Sequence, residues 1–398
     1  MENNRPALDK LQSVFERWLH IEDPHYLHTL IATKVTHKLD GDPVWMLIVG
    51  PSSDGKTEYL RAITQEGEIV VDDVTEKTFI SGMKKELRGG REQLAQRLHN
   101  SIWYMYDLSI MLSKRAEERS SILSDMRMVY DGRLVKEFGN GERCDIDTSN
   151  NTFLGGSTPE IDSTLLEDAL LGTRFITYRI QTMNRFAVMS IIDRNEDNSD
   201  LMRNELKEAV KEFETTMKFD CYKMTTLENQ NIQMLSNTTT LLRASASLDK
   251  QGEVRNIVYP ESPGRLYKQL KKLYKAYRII GLNEEEALIC IRKICRDNIN
   301  PVRIKLLTYM HNTKSKDKFT VVTKTTSNIH EHTGLGKKTV KSHMSIMNMM
   351  GIVSFKLRED HFRETEEWSL NDSSLNLILE KDETYPVGQT LKKYIKTG

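Results

Sequence analysis

Cysteine is scarce and scattered in this chain: four among 398 residues, Cys144, Cys221, Cys290 and Cys295. Cys290 and Cys295 stand five apart in a helical stretch, with no second pair or histidine cluster at zinc spacing. That excludes a disulfide framework and a zinc ligand set, and leaves buried thiols in a reducing compartment. Long apolar runs are absent too. No stretch approaches the roughly eighteen apolar residues of a membrane helix, and the opening MENNRPALDK has no apolar signal core. A soluble, cytoplasmic protein is expected. Net charge is missing as well: 57 Lys and Arg balance 57 Asp and Glu. No overall field draws the chain to nucleic acid or membrane, so any DNA-binding signal has to be local. The length suits two or three domains rather than one small core.

What is present is organised around Val44–Leu60, VWMLIVGPSSDGKTEYL. An apolar strand meets Gly50, and Gly55-Lys56-Thr57 follows at the spacing G-x-x-x-x-G-K-[ST] of a phosphate-binding loop. Gly50, Pro51, Ser52, Ser53, Asp54 and Gly55 form the loop, whose backbone N–H groups cradle phosphate oxygens. The helix after it adds its positive end. Lys56 reaches the β- and γ-phosphates, the Thr57 hydroxyl takes Mg²⁺, and Glu58 lies just beyond. The expected cofactors are ATP and Mg²⁺.

Residues 6–40 read as two helices broken at Asp23-Pro24. A second strand, Glu68–Val71, follows the P-loop helix, and helical stretches interrupted by Gly89-Gly90 come next. SIWYMYDLSIML is an apolar strand ending in Asp107, a carboxylate placed to hold Mg²⁺ through water. The residue after it is Leu108, where ATPases of this type carry the glutamate that polarises water. Glu58, Glu117 and Glu118 are the alternatives. Ser121–Val129 is helical. Turn signals at Asp131-Gly132 and Gly139-Asn140-Gly141 bracket RLVKEF, a hairpin strand carrying Arg133 and Lys136. A short strand ends in Ser157-Thr158-Pro159, and another runs through LLGTRFITYRI.

This order of parts resembles the AAA+ ATPase core, most closely the branch of minichromosome-maintenance helicases and their phage and mobile-element relatives. YDGRLVKEFGNG, GGSTP and LGTRF carry the resemblance, which spans roughly residues 10–300 by motif order. It implies that the Arg133–Gly141 hairpin grips DNA, with Arg133 and Lys136 as contacts. It puts sensor one on Thr158 and sensor two on Arg265, at the start of the lid helix RLYKQLKKLYKAYRII. Arg174 becomes an arginine finger given in trans within a ring, a hexamer in this branch. The same residues have plain readings: Arg174 as an ion-pair partner, Thr158 as a helix cap, the hairpin as a solvated turn, and Arg265 as part of a basic face.

From Pro301 to Arg358 there are eleven Lys or Arg against two acids, Asp317 and Glu331, so the neutral chain contains a basic module. Two helices, a third basic helix and the strand IVSFKLR resemble a winged helix. Its recognition helix, Lys337–Met350, presents Lys337, Lys338, Thr339, Lys341, Ser342 and His343 outward. The tail from Glu359 looks peripheral.

The expected fold is α/β: a helical segment at 1–40, a P-loop parallel-sheet core at 41–237 with a helical insertion near 183–237, a lid at 238–300, a winged helix at 301–370, and a tail. The expected function is an ATP-dependent DNA helicase or translocase in phage or mobile-element replication, acting as a homo-oligomeric ring alone or with a primase. The alternative is a replication initiator or helicase loader that uses ATP as an assembly switch. A DNA-binding regulator with a slow nucleotide sensor is a third reading.

Overall fold

The computed structural model describes residues 4–20, 22–83, 89–162, 174–180, 184–244, 246, 249, 260–312, 323–360, 363–371 and 375–379. The chain divides into two compact units, 1–236 with 262–298, and 237–261 with 299–398. The stretch 238–300, expected as one lid, is therefore shared between them.

The first unit begins with α1 (Arg5–Trp18) and α2 (Pro24–Thr36), the latter started by Pro24 and capped by the Asp23 side chain on His25 N. Next come β1 (Trp45–Val49), α3 (Lys56–Ile63), β2 (Ile69–Val70), the short α4 (Leu94–Arg97) and β3 (Ser101–Met105). Between Asp72 and Asn100, α4 is the one helix among the described residues; 84–88 lie outside them. α5 (Ser109–Leu112) and α6 (Ala116–Tyr130) lead to the hairpin β4 (Arg133–Glu137) and β5 (Arg143–Asp147), then β6 (Asn151–Ser157) and β7 (Phe175–Arg179).

β1, β2, β3, β6 and β7 make one parallel sheet in the order β2-β3-β6-β1-β7, so the P-loop strand lies inside the sheet, flanked by β6 and β7. Every residue of β1 is buried, as its unbroken apolar run requires of a strand covered on both faces. Trp45, Trp103, Phe153 and Phe175 stand in register on four neighbouring strands. Their rings meet at centroid distances of 4.4–5.6 Å. Each such pair is worth about 0.5–1.5 kcal/mol beyond its buried area, so this row fixes register near the strands' amino ends. The carboxyl ends are left for the loops.

Helices α7 (Arg185–Asn195), α8 (Ser199–Thr216) and α9 (Thr226–Arg243) follow, with α8 packed on α1 and α3. α10 (Gly264–Ile279) buries Leu266, Leu270, Leu273 and Tyr277, the face its spacing predicts, and α11 (Glu284–Asp297) opens with an Asn283–Glu286 capping box.

The second unit contains α12 (Pro301–Asn312), β8 (Lys324–Thr325), α13 (Thr326–Thr333), α14 (Lys337–Met349), β9 (Val353–Asp360), β10 (Arg363–Leu370) and α15 (Leu375–Leu379). β8, β10 and β9 form an antiparallel sheet, giving the order helix, strand, helix, helix, hairpin. The expectation of a peripheral tail from Glu359 is corrected here. β10 pairs with both other strands and buries Trp368, and α15 buries Leu375 and Ile378. No described helix is long and apolar enough to cross a membrane.

Candidate functional site: the carboxyl edge of the parallel sheet

The loop between β1 and α3 has the geometry its glycines demand. Gly55 caps α3 at φ 73°, a left-handed conformation that side chains disfavour, and Ser53 shares it at φ 67°. Gly50 N–H donates to Ser157 O at 3.2 Å, tying the loop to β6. Lys56 is only 9% exposed and its Nζ donates to the carbonyls of Gly50 at 2.7 Å and Pro51 at 2.5 Å. Burial lowers its pKa, opposed by the charges of Asp54 and Asp107. Asp54 Oδ2 is buried with no hydrogen-bond partner among the described residues.

Parallel strands bring the other site residues to the same edge. Val49, the last residue of β1, pairs with Ser157 on one side and Arg179 on the other. Thr158 follows Ser157 directly. Asp107, exposed, follows β3 and accepts a 2.8 Å hydrogen bond from Ser109 N through Oδ1. Lys56, Thr57, Asp107 and Thr158 thus share one edge. Leu108 shows why no glutamate follows Asp107. Its N–H donates to Gly156 O at 2.8 Å, its side chain is 0% exposed, and it packs where Gly155 has no Cβ, since a Cβ there would lie 2.6 Å from Leu108 Cδ1. The position faces the core. Glu58, offered as a substitute, is held by Arg203 at 3.0 and 2.9 Å and by Arg61 at 3.4 Å, bonds that lower its pKa.

Two residues at this edge escape a motif search. Arg179 binds Asp162 with both arms, at 2.9 and 2.6 Å, and its backbone N–H donates to Asp297 Oδ2 at 2.7 Å. Lys293 of α11 donates to Arg179 O at 2.8 Å and to Asp297 at 2.6 Å, and lies 4.2 Å from the Tyr178 ring centre. Asp297 is half-buried, and desolvation raises its pKa against the pull of Lys293. Both cations belong to no local motif; only the i,i+4 spacing of Lys293 and Asp297 is readable in the sequence.

Other assignments need correction. Arg174 precedes Phe175, which pairs with Trp45 at the start of β1, so it lies at the opposite edge of the sheet. It is 9% exposed, bound to Asp131 at 2.8–3.2 Å, with its guanidinium 5.7 Å from the Tyr130 ring centre. This is an intramolecular ion pair and not an extended finger. Arg265 is close enough to Tyr130 for its charge to act on the phenol, and one turn later Gln269 donates to Arg174 O at 2.8 Å. The start of α10 therefore belongs to the Arg174 edge, away from the P-loop, whereas Lys293 of α11 reaches Arg179 beside the end of β1. Lys136 sits on Asp125 at 3.0 and 3.1 Å, and Arg133 on Asp145 at 2.7 and 2.5 Å. Residues 133–147 hold three bases and four acids. The hairpin turn is docked, with Asn140 donating to Gly82 O at 3.0 Å and Phe138 packed on the core. Such a hairpin presents no net positive surface.

In the second unit, Lys337, Lys338 and Thr339 are exposed at the start of α14. Lys341 pairs with Glu366 at 3.1 Å. Ser342 and His343 turn inward, against expectation. Ser342 is buried and donates to Lys338 O at 2.9 Å. His343 is half-buried, with its pKa lowered to about 4 by burial and by Arg303 of α12.

The fold and this edge define an α/β protein with a P-loop on an inner parallel strand, followed by a unit of helices and a three-stranded antiparallel sheet. No protein-family model and no curated protein matches the chain. Among solved structures it is similar to the Aeropyrum pernix Orc1 protein in complex with DNA, at 12% identity over 90% of this chain and 92% of that one, with a TM-score of 0.25. It is also similar to the apo C-terminal region of NrS-1, at 14% identity over 93% and 76%, TM-score 0.21. Likeness at this level assigns no family.

Proposed function

We propose that the chain is an ATP-binding DNA-replication protein of the AAA+ kind, in which nucleotide acts as a switch. One observation carries this: Lys56, Thr57, Asp107 and Thr158 converge at the carboxyl edge of a parallel sheet, where open α/β sheets bind ligands. The donor set suits Mg·ATP. Loop N–H groups and the Lys56 ammonium meet phosphate, while the Thr57 hydroxyl and Asp107 carboxylate are hard oxygen donors for a cation that keeps several waters. Bound Mg²⁺ supplies charge neutralisation at the β- and γ-phosphates. Lys56 leaves the Gly50 and Pro51 carbonyls for phosphate, and Thr158 orients water or phosphate beside it. Arg179 and Lys293 link that edge to α11, so the nucleotide state is felt by the helical part of the unit. Lys337 and Lys338 hold DNA phosphates.

The switch is favoured over a motor because Leu108 faces the core, Glu58 is held by arginines, and the hairpin's bases are paired. A ring helicase is the second reading, favoured by the hairpin's place immediately before β6. It requires Arg174 to leave Asp131 for a neighbour's nucleotide. ATPase rate against protein concentration, with and without single-stranded DNA, with strand displacement followed in parallel, separates them. Tight nucleotide binding with slow, DNA-indifferent turnover is expected. Steep, DNA-stimulated turnover with unwinding would establish the motor.

A further inference from the structure

A cavity of about 450 Å³ lies between α3, the β2–β3 edge and α8, outside the set of residues assigned to Mg·ATP. Its wall carries Arg61 from α3 and Arg203 and Lys207 from α8, the last two one helical turn apart on one face. Tyr106 is held in the wall by its hydroxyl, 3.2 Å from Thr64 Oγ1, and the Arg61 guanidinium lies 5.8 Å from its ring centre. Ala62 and Leu206 give a buried apolar floor. Two further carboxylates line the space. Glu68 is paired from inside with Lys34 at 3.1 Å, which Glu214 shares at 2.6 Å, and accepts hydrogen bonds from Tyr104 and Gln65 N, while Glu66 is exposed.

The Glu58 carboxylate already acts as an anion in this cavity, bound by both forks of Arg203 and by Arg61. Such guanidinium sites take phosphate in the same geometry as carboxylate. A ring beside the phosphate would find a tyrosine face, a guanidinium plane and an apolar floor, the surroundings that bases stack on. The volume is that of a small-ligand pocket. We infer that this cavity binds a nucleotide unit, its phosphate on Arg203 and Lys207 in exchange for Glu58 and its base against Tyr106. Glu58 follows Thr57 in the chain, so the exchange alters the charge beside the P-loop. That coupling, though not the binding itself, rests on the nucleotide reading of the loop.

The test uses the full chain carrying Lys56→Ala, Lys337→Ala and Lys338→Ala, which removes the other two phosphate sites. Failure of the P-loop assignment therefore leaves its outcome intact. Adenosine monophosphate is titrated by calorimetry, and a fluorescein-labelled oligothymidylate and a labelled glutamate-rich peptide by anisotropy. Binding of the mononucleotide identifies a free nucleotide as ligand; binding of the oligonucleotide alone identifies a strand. In either case Arg203→Ala, Lys207→Ala and Tyr106→Ala each weaken affinity about tenfold or more. Tyr106→Phe, which keeps the ring, retains most of it and controls for folding. Absence of binding by both phosphate probes, affinity indifferent to these substitutions, or binding by the peptide alone overturns the inference.

Discussion

At Leu108 the chain has placed a leucine where a carboxylate would have to be buried. Its side chain is fully enclosed against Gly155, so Leu108→Glu inserts an unpaired acid into the core. The variant is expected to lose roughly 3 kcal/mol or more of stability and to gain no turnover. Thermal unfolding and an ATPase assay check both halves. A second residue-scale expectation concerns acid. Burial lowers the pKa of His343 and of His28 to about 4 from 6.5. A group that resists protonation when folded is protonated first in the unfolded chain, so stability is full above about pH 6.5 and falls between 6.5 and 4. His343→Phe should flatten that fall for the second unit, as followed by unfolding at pH 7 and pH 5; an unchanged slope would contradict the assignment.

Among elements, the hairpin and α14 carry the same expected DNA role on differently placed charges: the hairpin's bases are paired with acids, whereas Lys337 and Lys338 of α14 are exposed. Lys136 neutralises Asp125, which is 2% exposed. Lys136→Ala is therefore expected to cost about 1–3 kcal/mol of stability by leaving a buried acid unpaired, with DNA affinity unchanged. The opposite holds for Lys337→Ala with Lys338→Ala: unaltered melting, weaker DNA binding, and a salt dependence shallower by about two in log–log slope. Filter binding at several salt concentrations distinguishes the two. The hairpin was legible as structure because its turn signals are local, whereas the pairing of Lys136 was not, because Asp125 lies on α6 and pairing across elements leaves no local trace. Inward-facing His343 escaped for a similar reason, since a helix surface turns inward wherever another helix, here α12, covers it.

At the scale of the molecule, the parallel sheet was readable because buried strands write continuous apolar runs, and the P-loop because its spacing is set by backbone geometry. The order β2-β3-β6-β1-β7 then decides what shares an edge. It gathers Lys56, Asp107 and Thr158, adds Arg179, and sends Arg174 and the start of α10 to the far side. The division at 236 and 262 was hidden because α9 runs helically through the first of these boundaries. The central claim is that this edge is a nucleotide site, and the most direct test is equilibrium binding of Mg·ATP to the intact chain and to Lys56→Ala. Saturable binding by the intact chain, lost by at least about a hundredfold without the Lys56 charge, is expected. Equal affinity in the two proteins, or none in either, would contradict the account.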